Sequence, residues 1–224
     1  MQDLHIFGIH IIYFLAIVAF ILPRIPFVGK FFNVINTVIH ESGHALMAIF
    51  LGIKVDHIKI FSTTAGEAWT FKTPIKGIFV SLAGYLFASV MAYLSFYLLS
   101  CGYESWIITG LSVLFLAVLI LWIRNLYGVI WVLLFTALNG FLVFYLKNEE
   151  VIQVVAWFYG LMMLIESVWS AFVLLKIAIM SPEDAGDAAN LAEATHIPAL
   201  FWALLFFGFS LWMAYLALTS VNIG

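Results

Sequence analysis

Residues 36–52 read NTVIHESGHALMAIFLG, and His40, Glu41 and His44 within them spell H-E-x-x-H in surroundings otherwise apolar enough for lipid. On a helix that advances about 100° per residue, His40 and His44 lie one turn apart on one face, with Glu41 beside them. Two imidazoles so placed suit a single zinc ion in tetrahedral geometry, with room left for a third protein ligand and a water. Zinc lowers the pKa of such a water toward about 7, and Glu41 is the carboxylate placed to take its proton. Asn33, Asn36 and Thr37 extend the same polar face toward the start of the helix, a stripe along which water could reach the metal.

An accidental match to this motif has odds of roughly one in two hundred in a chain of this composition. A charge at mid-bilayer costs about 2.5–3.5 kcal/mol on insertion scales, so ionisable groups clustered there call for a compensating role. A haem bundle would present single histidines from different helices, whereas the one-turn spacing suits one small ion.

The elements that must hold this face are membrane helices. The chain has 224 residues, 65% hydrophobic and 9% charged, with a mean hydropathy of +1.14; soluble domains run near half apolar and a quarter charged. Apolar runs predict about seven transmembrane helices, at Leu4–Leu22, Phe31–Leu51, Ile75–Leu99, Trp106–Ile123, Leu126–Leu146, Val151–Met180 and Ile197–Val221. The expected fold is an all-α polytopic membrane protein forming one domain over residues 1–224. The opening MQDLH carries neither a basic n-region nor a small-residue cleavage site, so the first run is expected to stay as an anchor.

Two breaks between runs are long. Residues 53–72 mix apolar and polar positions around Thr63-Thr64-Ala65-Gly66 and predict a short β-hairpin at the membrane surface. Residues 181–196 hold Glu183, Asp184, Asp187 and Glu193 and predict a solvated acidic loop with a short helix. Lys54, Lys59, Lys72, Lys76, Arg124 and Lys176 flank the face with the N-terminus, the hairpin and this loop, against Arg24, Lys30 and Lys147 on the other. That excess predicts a cytoplasmic N-terminus in a cell membrane protein.

Other classes are excluded or disfavoured. With a net charge of −3 and scattered basic residues there is no stripe for nucleic acid. The single cysteine, Cys101, rules out an internal disulfide and any multi-thiolate zinc site. Carboxylates spread through several spans, as ion transport requires, are missing; only Glu41 and Glu166 fall inside the predicted spans. His5 and His10 are expected at the first helix, facing the interface or the bundle. Asp56, His57 and Glu67 are expected as surface groups of the hairpin, and Arg124 as an interfacial cation.

Beyond HESGH, the order of TTAGEAWTFK, SLAGYLFAS (81–89), LWIRNLYG (121–128) and GDAANLAEATHIPALFW (186–202) resembles the site-2 protease type of intramembrane zinc metallopeptidase, in its small B-type branch. The Leu-Asp-Gly of the larger members does not occur, nor do the aspartates that some small members carry in the helix before the Asp-Ala block, where this chain reads SVWSAFVLL. The resemblance implies one zinc per chain, held by His40, His44 and a carboxylate, with Glu41 catalytic. Asp187 stands where the family's Asp-Ala pair falls, while Asp184 and Glu166 remain alternatives. The implied activity is hydrolysis of a peptide bond in a membrane-anchored substrate near the cytoplasmic leaflet. Its rival is a non-catalytic zinc-binding membrane protein acting as carrier, sensor or chaperone. Asn125 is read equally as a substrate-orienting or a structural group.

Overall fold

The structure, a computed structural model, describes residues 5–6, 9–61, 66–70 and 74–221. Two-residue strands β1 (His5–Ile6) and β2 (Ile9–His10) pair antiparallel and lead into α1 (Ile11–Ile21). His5 and His10 thus sit in strands rather than on a first helix. Pro23 and Pro26 cannot donate to a helical ladder, and Phe27 takes a left-handed φ of 65°, so the chain breaks before α2 (Val28–Phe50).

Because of this break the expected seven spans are not reached among the described residues. At about 1.5 Å per residue, the 11 residues of α1 cover only about 16 Å, half the hydrocarbon thickness. The polar stripe lowers the hydropathy of α2. Residues 11–24 and 28–50 therefore meet the length and apolarity of a span only as a pair, and they meet at a 98° bend. Five helices qualify singly among the described residues: α3 (Pro74–Ser100), α4 (Glu104–Leu121), α5 (Leu126–Gly140) with its π-helical continuation to Leu146, α6 (Glu149–Met180) and α8 (Ala199–Ser220). The protein is an all-α polytopic chain, with five such spans among the described residues, or six with the bent pair. Leu4, where the first span was expected to begin, lies outside the described residues.

The expected hairpin is present as β3 (Val55–Ile60) antiparallel to β4 (Gly66–Thr70), with Ile58 opposite Ala68 and Ile60 opposite Gly66. Of the turn predicted at Thr63–Gly66, Gly66 opens β4, while Thr63–Ala65 and the hairpin's last residues, Phe71 and Lys72, lie outside the described residues. The segment expected as an acidic loop with a short helix forms a 3-10 turn at Pro182–Asp184 and then the helix α7 (Gly186–Thr195). Its acidic residues masked an apolar face, since Ala185, Ala188 and Leu191 are all 0% exposed. They pack with Ala171, Leu174 and Ala178 of α6 and Ala199, Ala203 and Phe206 of α8. Alanines let helix backbones approach closely in lipid, where small residues rather than apolar contrast drive association.

Helix α3 is the centre of the arrangement, packing against α2, α6, α7 and α8. Gly43 explains its approach to α2, because a Cβ there would lie 2.8 Å from the Ala83 carbonyl oxygen. Away from that contact, Asn139 of α5 is buried; its amide donates to Ser112 Oγ of α4 at 3.1 Å and its carbonyl accepts from the Tyr159 hydroxyl of α6 at 2.9 Å. In the absence of water such interhelical bonds satisfy polar groups that would otherwise be orphaned.

Candidate metal centre

Helical periodicity places His40 and His44 on one face of α2, and the fold then turns that face toward α3 and α7. His44 Nε2 lies 3.0 Å from His40 Nε2. Asp187 Oδ2, in the first turn of α7, lies 3.2 Å from each of them. Four ligands about 2.0–2.1 Å from a tetrahedral zinc stand about 3.3 Å apart. The triangle has the size of one face of such a tetrahedron, and these three residues form a group that could hold a metal ion.

The surroundings fit the same purpose. His44 Nδ1 lies 2.6 Å from the Val80 carbonyl oxygen. A proton on Nδ1 donated to that carbonyl leaves the Nε2 lone pair pointing into the triangle, the orientation metal-ligating histidines adopt. Gly84, one turn after Val80, keeps the space open: a Cβ there would lie 2.5 Å from His40 Cε1 and 2.6 Å from His44 Nε2. Burial alone would raise the Asp187 carboxyl, but the charges and hydrogen bonds of His44 and His40 outweigh it and hold the group well below the usual carboxylate range.

Glu41 is 6% exposed and follows His40 directly on α2. The backbone of β4 runs close above it, since a Cβ on Gly66 would lie 2.7 Å from Glu41 Oε1 and 2.7 Å from Thr37 Cγ2. Asn33, Asn36 and Thr37 line an open cavity of about 330 Å³ together with Tyr85, Glu166, Trp169 and Ser170. The polar stripe expected on α2 therefore borders a real space.

The alternative carboxylates are elsewhere engaged. Asp184 is exposed on the 3-10 turn. Glu166 Oε1 pairs with Arg24 Nη1 at 2.9 Å, and the Arg24 guanidinium lies over the rings of Phe20 and Trp169. This tie holds the bend between α1 and α2 against α6. Asp56 and His57 pair with each other at 2.6 Å on the hairpin. Arg124 donates to carbonyls at the end of α4, those of Leu119, Ile120, Leu121 and Ile123. Asn125 is structural: its side chain accepts from Ile60 N at 3.1 Å and donates to Ile60 O at 2.6 Å.

Gly84, Tyr85 and the Arg24–Glu166 pair were not singled out from sequence. Gly84 and Tyr85 stand inside SLAGYLFAS, but what they meet is set by another helix. No curated protein and no solved structure matches the chain. The family model described as Peptidase M50B-like matches residues 11–217, nearly the whole chain, and with it the protein belongs to the M50B branch of the site-2 protease family.

Proposed function

We propose that this protein is an intramembrane zinc metalloendopeptidase that hydrolyses a peptide bond of a membrane-anchored substrate near the cytoplasmic leaflet. The observation that carries the reading is the triangle of His40, His44 and Asp187 donor atoms, which fits a tetrahedral zinc and faces the space Gly84 leaves open. A zinc ion held there supplies Lewis acidity toward water and the scissile carbonyl. Glu41 takes a proton from the attacking water and returns it to the leaving amine. The cavity along Asn33, Asn36 and Thr37 admits the water.

A helical substrate hides its carbonyls in its own hydrogen bonds and has to unwind before attack. The hairpin supplies the edge that takes the unwound strand by β-augmentation, and the hydrogen bonds of β3 support the edge of β4 in that part. The outer side of β3 is occupied: Ile58 N donates to Trp122 O at 2.9 Å, and Asn125 covers Ile60. Among the described strands β4 pairs with β3 alone, which leaves its other edge for the substrate, with Gly66 at the start of the strand close to Glu41.

The test is hydrolysis of a quenched-fluorescence peptide carrying one apolar transmembrane segment, by purified protein with measured zinc. Wild type is expected to hold one zinc per chain and to cleave in a zinc-dependent way. Glu41→Gln keeps the size of the side chain and removes its basicity, so zinc stays while the rate falls by roughly 10²- to 10⁴-fold. Equal cleavage by wild type and Glu41→Gln overturns the mechanism. Bound zinc with no cleavage by wild type favours the non-catalytic zinc-binding alternative.

A further inference from the structure

Tyr85 of α3 touches the candidate centre without belonging to the ligand triangle. Its ring meets His40 edge-on, with centroids 4.7 Å apart and planes at 80°, and stacks on Phe206 at 4.9 Å and 26°. Phe206 is itself fully buried in the small-residue cluster that seats α7. The ring is held on both sides, and Tyr85 lines the polar cavity beside Asn36 and Thr37.

The other polar groups of that cavity show why this phenol matters. Asn33 donates to the Pro23 carbonyl at 2.8 Å, Thr37 Oγ1 to the Asn33 carbonyl at 3.2 Å, and Ser170 Oγ to the Ser167 carbonyl at 3.3 Å. Glu166 is taken by Arg24. The Tyr85 hydroxyl makes no hydrogen bond to a described residue, and neither does the Asn36 amide. The Tyr85 hydroxyl is not sealed in the protein but belongs to a residue that lines the cavity, whereas the hydroxyl of the buried Tyr159 is taken up by Asn139 at 2.9 Å. Of the two unpartnered donors, Tyr85 is the one whose ring rests on His40.

We infer that the Tyr85 hydroxyl donates a hydrogen bond to the oxyanion formed at the scissile carbonyl, which makes Tyr85 a further catalytic residue. The inference rests on the peptidase reading above. As water oxygen bonds to the carbonyl carbon, the C=O π pair moves onto the carbonyl oxygen and the water proton passes to Glu41. As the C–N bond breaks, that pair returns to re-form C=O, and the proton passes from Glu41 to the amine nitrogen. Tyr85 keeps its proton throughout; its hydrogen bond strengthens where charge develops, and preorganised donors of this kind act mainly on the transition state. The nearby carboxylates, Glu41 and Asp187, cannot serve, because ionised oxygens only accept.

The experiment compares wild type and Tyr85→Phe, which retains both ring contacts, on the quenched-fluorescence peptide. The bond cut is located by mass spectrometry and replaced by a phosphinate, whose tetrahedral oxygen mimics the oxyanion. The expected result is a fall in kcat of roughly 10²- to 10³-fold, little change in KM, one zinc per chain retained, and phosphinate affinity weakened by a comparable factor. Replacing Tyr85 with 4-aminophenylalanine, which restores a donor, recovers part of the rate; 4-methoxyphenylalanine does not. Should Tyr85→Phe fail to fold, that pair carries the comparison alone. Unchanged kcat, lost zinc, or a rate loss without weaker phosphinate binding each overturns the role. Absence of zinc-dependent cleavage by wild type overturns the peptidase reading, and this inference with it.

Discussion

Gly84→Ala separates metal binding from folding more sharply than replacement of a ligand. The added methyl would lie 2.5 Å from His40 Cε1, 2.6 Å from His44 Nε2 and 2.7 Å from His40 Nε2. Such atoms ordinarily rest at about 3.5 Å, so the rings have to withdraw by about 0.8–1 Å. A metal site holds its distances to within about 0.2 Å. Zinc affinity should fall by at least the roughly 10- to 100-fold that disturbing a ligand's support costs. Stability moves far less: overpacking costs about 1–3 kcal/mol, and removing a mid-helix glycine returns about 0.5–1 kcal/mol. Elemental analysis after dialysis against graded chelator reads the first quantity, and thermal unfolding of the metal-free protein reads the second. Gly208→Ala is the control, because a Cβ there meets nothing within 4 Å, and its zinc should match wild type. If Gly84→Ala binds zinc as tightly as wild type, the metal does not occupy the space between α2 and α3, and the assignment of the centre is wrong.

Further outcomes follow from the same geometry. Asp187→Asn should weaken zinc binding while Glu166→Gln keeps it, because only Asp187 reaches both imidazoles; the opposite pattern in a zinc titration would transfer the third ligand to α6. Glu166→Gln should instead lower stability by about 1–3 kcal/mol, because it leaves the part-buried Arg24 guanidinium without its charged partner, visible as a lower midpoint in denaturant. Asn125→Ala removes two hydrogen bonds to Ile60, so KM for the peptide should rise with zinc content unchanged; an unaltered KM would detach the hairpin from substrate binding. Reporter fusions within 181–195 should read cytoplasmic and one after Lys147 external, and the reverse would move the cut to the other leaflet.

What the sequence by itself determined is local or compositional. His40, Glu41 and His44 share a face because helical periodicity is built into neighbouring residues. The apolar runs name the membrane helices because lipid leaves a backbone no other partner for its polar groups. The hairpin was legible in the mix of apolar and polar residues along Val55–Ile60. Only the tertiary structure decided the rest. Asp187, rather than Asp184 or Glu166, reaches the imidazoles because the alanines of α7 seat it against α6 and α8. Glu166 meets Arg24 because the chain bends by 98° after α1, and that bend leaves five or six candidate spans among the described residues. Gly84 and Tyr85 look like ordinary helix residues until α2 lies across α3. The division has one physical reason: periodicity acts between near neighbours, whereas the meeting of residues far apart depends on where helices touch, and small side chains spread over several helices set that together.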